Sequence, residues 1–224
     1  MVGHGVRGTP LNHLLTTSIW VAISESPPQS QEGISESRDQ SHLNIAHRYK
    51  VLTGGPYPHL VTCSILRWFP VFTSGDFFKI IIDSLQYLRA NRGLAVHAHA
   101  IMPTHTHAVT TATNDDLSAI MRDFKRFTSR SIYQEAEKQG NELMSWVFRT
   151  SVQNGEASRF KVWQDGFHPK AIISGKTFLR KVEYVHLNPA RKGLVLEPEN
   201  YYYSSAAAYC RDQMGPLEID MARW

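Results

Sequence analysis

The chain has 224 residues, 42% of them hydrophobic, which suits one domain plus a tail and supplies enough apolar surface for a genuine core. Lysine and arginine exceed the acidic residues by 24 to 20, and the sequence pI near 9.1 leans toward an anionic partner without establishing nucleic-acid binding. Two cysteines, Cys63 and Cys210, without CxxC spacing, exclude a disulfide framework and fit buried thiols in a reducing cytoplasm, while no apolar run reaches the roughly 20 residues of a membrane helix.

The segment LLTTSIWVAIS, residues 14–24, lies behind Arg7 and faintly imitates a signal-peptide core. The adjoining stretch ESPPQSQEGISESRDQSHLN is rich in Ser, Gln, Glu and Pro and cannot bury enough surface to offset its ordering entropy. Residues 1–47 are therefore expected to form a disordered extension, and a start codon assigned too far upstream would give the same composition.

From Pro58 the texture changes. HLVTCSILRW mixes β-branched and large apolar residues and ends before Pro70, which predicts a strand. TSGDFFKIIIDSLQYLRANRG offers Ser74 or Asp76 as a cap, Phe77, Ile81, Leu85 and Leu88 at helical spacing, and Gly93 as a stop. LAVHAHAIM and HTHAVTTAT alternate at period two around the turn MPT, predicting an antiparallel hairpin. A second helix comes next in LSAIMRDFKRFTSRSIYQ, with Leu117, Ile120, Met121, Phe124 and Ile132 on one face and Thr113 to Asp116 as its capping region. Arg122, Arg126 and Arg130 recur every fourth residue on the other face, as a solvated surface or a row of phosphate contacts.

Residues 139–159 lack clear periodicity and read as a loop. FKVWQDGFHPKAII predicts a turn at residues 164–166 and a short strand. Ser174 then caps the helix GKTFLRKVEYVHL, which Asn188 and Pro189 are expected to end. The tail YYYSSAAAY should pack. This order of elements matches an α+β, ferredoxin-like (RRM-like) antiparallel sheet with helices packed on one face.

Two stretches carry chemistry. In MPTHTH, His105 and His107 stand at i and i+2 of a strand, so both imidazoles reach one face and a single ion could bind both. A His-x-His pair is also common as polar surface or as satisfied core groups. In the last helix, Lys176, Arg180, Tyr184 and Asn188 stand at successive i+4 positions, placing two cations, a phenol and an amide on one stripe. Such a stripe is ordinarily solvated, yet it also holds a nucleophile, a hard oxygen ligand and phosphate attraction. His186 falls on another side of that helix and receives no role.

MPTHTH resembles the MPNHxH signature of the single-tyrosine HUH transposases, the group that includes the REP-associated tyrosine transposases. The resemblance continues through LSAIMRDFKRFTS, VWQDGFHPK, EYVHLNPARKGLV and YYYSS, covering nearly all of residues 48–210. It implies that residues 48–224 form a catalytic domain, that Tyr184 is the nucleophile, and that His105, His107 and Asn188 hold a divalent metal, Mg or Mn. Thr104 departs from the pattern by standing where the family has Asn. His97 and His99 are also unusual, and are read as surface groups, with accessory ligands as the other reading.

The activity implied is cleavage and rejoining of single-stranded DNA near hairpins through a covalent 5′-phosphotyrosine. Lys176, Arg180, Arg122, Lys125, Arg126, Arg130 and Lys170 are candidate backbone contacts, and Trp163 is a candidate for stacking bases, with core packing as its other reading. The family's setting implies a bacterial cytoplasmic, nucleoid-associated protein, with relatives found as monomers and as homodimers. Two other readings stay open: a metal-dependent hydrolase built on His97, His99, His105 and His107, and a non-catalytic nucleic-acid-binding module on a ferredoxin-like sheet.

Overall fold

The computed structural model describes residues 51–113, 116–151 and 159–221, so the expected extension over residues 1–47 lies outside the described residues. Four strands, β1 (His59–Ser64), β2 (Leu94–Met102), β3 (His105–Ala112) and β4 (Lys170–Ala171), pair antiparallel in the order β2-β3-β1-β4. That order is the ferredoxin-like one. The helices are α1 (Gly75–Arg92), α2 (Leu117–Lys138), α3 (Glu142–Arg149), α4 (Gly175–Arg191) and α5 (Ala206–Arg211).

The period-two pattern sorts β3 between two cores. Ala108 and Ala112 face one cluster with Val61 and Cys63 of β1, into which α1 sends Phe77, Ile81, Leu85 and Leu88 and α2 sends Leu117, Ile120, Met121 and Phe124. Val109 faces the other, with Leu60, Ala98 and Ala100, and there α4 contributes Phe178, Val182 and Val185 and α5 contributes Tyr209. Each fully buried Phe, Leu, Ile or Val contributes about 1.5–3 kcal/mol. The expected antiparallel sheet with packed helices is present, but the helices are not confined to one face: α1 and α2 cover one, and α4 and α5 enclose the other. His105 and His107 share that second face with Val109, so α4 is the helix that can meet them.

Several boundaries differ from the expected ones. β1 stops at Ser64 because Arg67 and Trp68 take left-handed backbone angles in a short 3-10 turn, Leu66–Trp68. The segment read as a loop over residues 139–159 contains α3, capped by Asn141 Oδ1, which accepts from the Met144 N–H at 3.0 Å; Met144, Val147 and Phe148 form its buried face. Helix α4 runs past Asn188 and Pro189 to Arg191. Pro189 removes the donor that would meet the Val185 carbonyl, and Asn188 Nδ2 donates to the Tyr184 carbonyl at 2.7 Å. Asp116 caps α2 by accepting from the Ala119 N–H at 3.3 Å, and Gly93 ends α1 at φ 66°.

The aromatic tail packs as expected, along the open edge of β2. Tyr203, Ser205 and Asp220 make backbone bonds to Ile101, His99 and Val96 at 2.9, 3.0 and 2.7 Å. Asp220 also receives Arg89 Nε at 2.9 Å, and Tyr203 stacks on Phe78. An edge strand that would otherwise offer unpaired donors and acceptors is thereby covered. Of the two thiols expected to be buried, Cys63 is, and burial pushes it up to about 12, whereas Cys210 is exposed.

Candidate active site

Strand register places the histidines. Ser64 pairs with His105 and Thr62 with His107, so β1 sets a hydroxyl beside each ring position on the shared face. Thr62 Oγ1 lies 2.8 Å from His107 Nδ1, and Thr104 Oγ1 lies 2.9 Å from His105 Nδ1. Thr104 thus places a hydroxyl beside the ring of the residue that follows it. In the tautomer whose Nδ1–H donates to the threonine hydroxyl, Nε2 carries the lone pair.

The ring centroids of His105 and His107 are 4.6 Å apart, and that of Tyr184 lies 5.4 Å from His107. Tyr184 comes from α4, one turn before Asn188, and both line the same cleft of about 610 Å³ as the two histidines. The phenol is 38% exposed and therefore open to a substrate, whereas Asn188 is buried. Because Asn188 Nδ2 is engaged with the Tyr184 carbonyl, its Oδ1 is the atom left for the cleft.

Burial lowers His105 to about 4, with Lys192 adding repulsion, and lowers His107 to about 3, with His105 and Lys170 adding repulsion. Both rings are neutral at neutral pH, the form that binds metal. Among the described residues no group of three or more His, Cys, Asp or Glu side chains is arranged to hold a metal ion. A cation here would have two imidazoles and the Asn188 amide oxygen as its protein ligands, and the free Nε2 and Oδ1 atoms fit that set. Such a set leaves open positions, which suits Mg or Mn over a closed structural zinc site.

The other expected site residues divide. Lys170 lines the cleft. Lys176 and Arg180 are exposed and continue the Tyr184 stripe along α4. Arg122, Arg126 and Arg130 lie on α2, across the sheet from the histidine pair, and Arg126 is paired with Asp123 at 3.2 Å. Lys125 does not reach outward as a backbone contact would: its ammonium donates to the carbonyls of Gln164 and Gly166, tying down the loop. Trp163 is not available to stack a base, because it is 3% exposed, packs between Phe72 and Phe124, and donates Nε1–H to Thr128 Oγ1 at 3.0 Å.

His97 and His99, read as surface groups, are buried. Both nitrogens of His97 are engaged, Nδ1 with the Asp220 carbonyl at 2.6 Å and Nε2 with Thr111 Oγ1 at 2.8 Å. His99 has no partner on either ring nitrogen among the described residues. The four histidines do not gather into one site. His186 is buried too, with Nε2 2.8 Å from Ser205 Oγ, away from the cleft.

Residues that spacing did not reveal also line the cleft: Thr62, Trp68, Gln164, His168 and Lys192. Register brings Thr62, and loops and a helix end bring the rest. His168, at φ 45°, sits in the GFHPK stretch just before a proline, the one local signal of an unusual turn.

No protein-family model matches the chain, and no curated protein matches it. Among solved structures, a REP-associated tyrosine transposase bound to a REP hairpin is similar, with a TM-score of 0.52 and 18% identity over 85% of this chain and 95% of that one. This likeness establishes a shared fold. Among the described residues no helix is long and apolar enough to cross a membrane.

Proposed function

We propose that the chain cleaves and rejoins single-stranded DNA, with Tyr184 as the nucleophile. One observation carries the reading: β3 and α4, distant in sequence, bring His105, His107, Tyr184 and Asn188 to one cleft, with the phenol ring 5.4 Å from an imidazole. The fold shared with a tyrosine transposase bound to a hairpin supports it.

The chemistry needs little from the rest of the chain. The phenol O–H bond breaks and its oxygen bonds to phosphorus, while the bond from phosphorus to the 3′ oxygen breaks and its electron pair leaves with that oxygen. Protonation of the departing oxygen gives a 3′ hydroxyl, and the 5′ phosphate stays on Tyr184. A later 3′ hydroxyl reverses the step, so joining needs no nucleotide cofactor. A phenol, with an ordinary pKa near 10, and an anionic diester are a poor pair at neutral pH. His105, His107 and Asn188 would hold a divalent cation, which would supply Lewis acidity against both problems. Lys170 and Lys192 add positive charge around the phosphate, and Lys176 and Arg180 extend it along α4.

The test is incubation with 3′-end-labelled single-stranded DNA and Mn or Mg, followed by denaturation. Wild type retains the label and Tyr184→Phe does not. Cleavage without attachment, or label retained by Tyr184→Phe, contradicts the reading, and a shifted but intact strand would favour the non-catalytic module.

A further inference from the structure

At the rim of the cleft the backbone does something costly. Arg67 has φ 54° and ψ 19°, and Trp68 follows at φ 56°, two consecutive bulky residues in the left-handed region with no glycine to ease it. The turn is fixed from several sides. Ile65 N–H donates to the Thr104 carbonyl and Leu66 N–H to the Val162 carbonyl, both at 2.8 Å, and Gln164 Nε2 donates to the Ile65 carbonyl at 3.0 Å. The same turn therefore leans on the residue before His105 and on the loop that Gln164 and Lys125 hold. Its result is an indole turned outward, 54% exposed, between Ile65, which is fully buried, and Phe72, which is nearly so. Trp68 stands edge-on to His105, with ring centroids 5.5 Å apart, at the mouth that Lys170 and Lys192 also line.

We infer that Trp68 is a base-stacking platform that holds the nucleotide next to the phosphate handled by His105, His107 and Tyr184. The inference rests on the proposed single-strand cleavage and deepens it. A strand entering this cleft must present an unstacked base beside the reacting phosphate, and a broad, rigid π-face replaces the stacking that base has lost. A tryptophan left exposed in a strained, well-bonded turn beside a cationic cleft suits a polyanion that carries flat rings. The fixed turn matters because little backbone freedom remains to be lost on binding. Trp163, in the core, cannot serve this purpose, and Trp68 is where the expected stacking residue stands.

The experiment compares the full-length protein with Trp68→Phe and Trp68→Ala on an oligothymidine strand and on a base-free phosphodiester strand of equal length, at one salt concentration. The two strands carry the same charge. Wild type should prefer the strand with bases; Trp68→Ala should lower affinity for that strand by roughly 5- to 150-fold and leave the base-free strand unchanged, with Trp68→Phe in between. Equal loss on both strands, or loss on neither, overturns the inference while leaving the proposed cleavage standing, provided wild type still forms its Tyr184 adduct. Unchanged base preference together with a change in oligomeric mass overturns it in favour of a protein contact at Trp68. A wild type that binds neither strand and forms no adduct overturns the proposed function and the platform together. Thermal melting of each variant confirms its fold.

Discussion

Two His-x-His pairs lie on neighbouring strands, and they meet opposite fates. On β3, the rings of His105 and His107 stay on one face, each Nδ1 beside a threonine hydroxyl and both residues lining a cleft. On β2, a register shift between Val96 and Ala98 breaks the alternation. His97 then lies edge-on to Phe178 beneath α4, while His99 pairs with Ala108, whose side chain joins the core of α1 and α2. The β2 edge is also sealed by the C-terminal segment. Spacing assigns two side chains to a face only while the ladder is regular, and what covers that face decides whether they ligate or fill space.

The two pairs should come apart most widely when one ring is removed from each. His105→Ala or His107→Ala should lower adduct formation by on the order of 10³-fold or more, since a ligand to the proposed cation is lost, and should spare much of the DNA affinity, which phosphate contacts dominate. His97→Gln should leave the ratio of cleavage to binding unchanged in any fraction that folds. Quantitative gel assays beside equilibrium binding read both. Comparable catalytic losses from the two pairs would show that they do not differ in role.

Acid titration reads the buried ring of His99 through stability. Burial lowers His99 to about 4 and His186 to about 3, against an ordinary 6.5. Between those values and 6.5 the unfolded chain binds protons that the folded chain refuses, so stability is full above 6.5 and falls as pH drops toward 4 and 3. The full loss should reach on the order of 3 kcal/mol for His99 alone. His99→Leu removes that titration and an unpartnered buried group together, so its melting temperature should vary less between pH 7 and pH 5 than wild type's. Equal acid sensitivity in both proteins would mean that His99 is not the group responsible.

The smallest effect expected is the most local. Thr62→Val keeps the shape of the side chain and deletes the hydroxyl 2.8 Å from His107 Nδ1. The Mn concentration that half-saturates adduct formation should rise by about 10- to 100-fold, with little change in melting temperature. An unchanged Mn dependence would show that the ring is held by packing alone.

Much of this molecule is legible in its sequence. Alternation draws β2 and β3, the apolar stripes Phe77 to Leu88 and Leu117 to Ile132 draw α1 and α2, and the rule of two along a strand with the rule of four along a helix brings His105, His107, Tyr184 and Asn188 into consideration. Helix α3 escapes because its face rests on three residues, Met144, Val147 and Phe148, within eight, too short for a period to show. Trp163 looks available because its neighbours Gln164 to Gly166 are loop-like, yet it bridges to Ile65 at the edge of the sheet and fills the space between Phe72 and Phe124. Thr62, His168 and Lys192 reach the cleft by cross-strand register and by loops and helix ends, which local spacing does not encode. The strained pair Arg67 and Trp68 contradicts its own local preference, and only the surrounding hydrogen bonds account for it.

The most direct measurement is peptide mapping of the covalent product by mass spectrometry, after wild-type protein has reacted with single-stranded DNA and Mn and been digested with nuclease and protease. A nucleotide attached through its 5′ phosphate to the peptide containing Tyr184 is the expected product. Attachment at another residue, such as exposed Tyr202, or DNA cleavage with every tyrosine unmodified, would contradict the assignment of Tyr184 as the nucleophile.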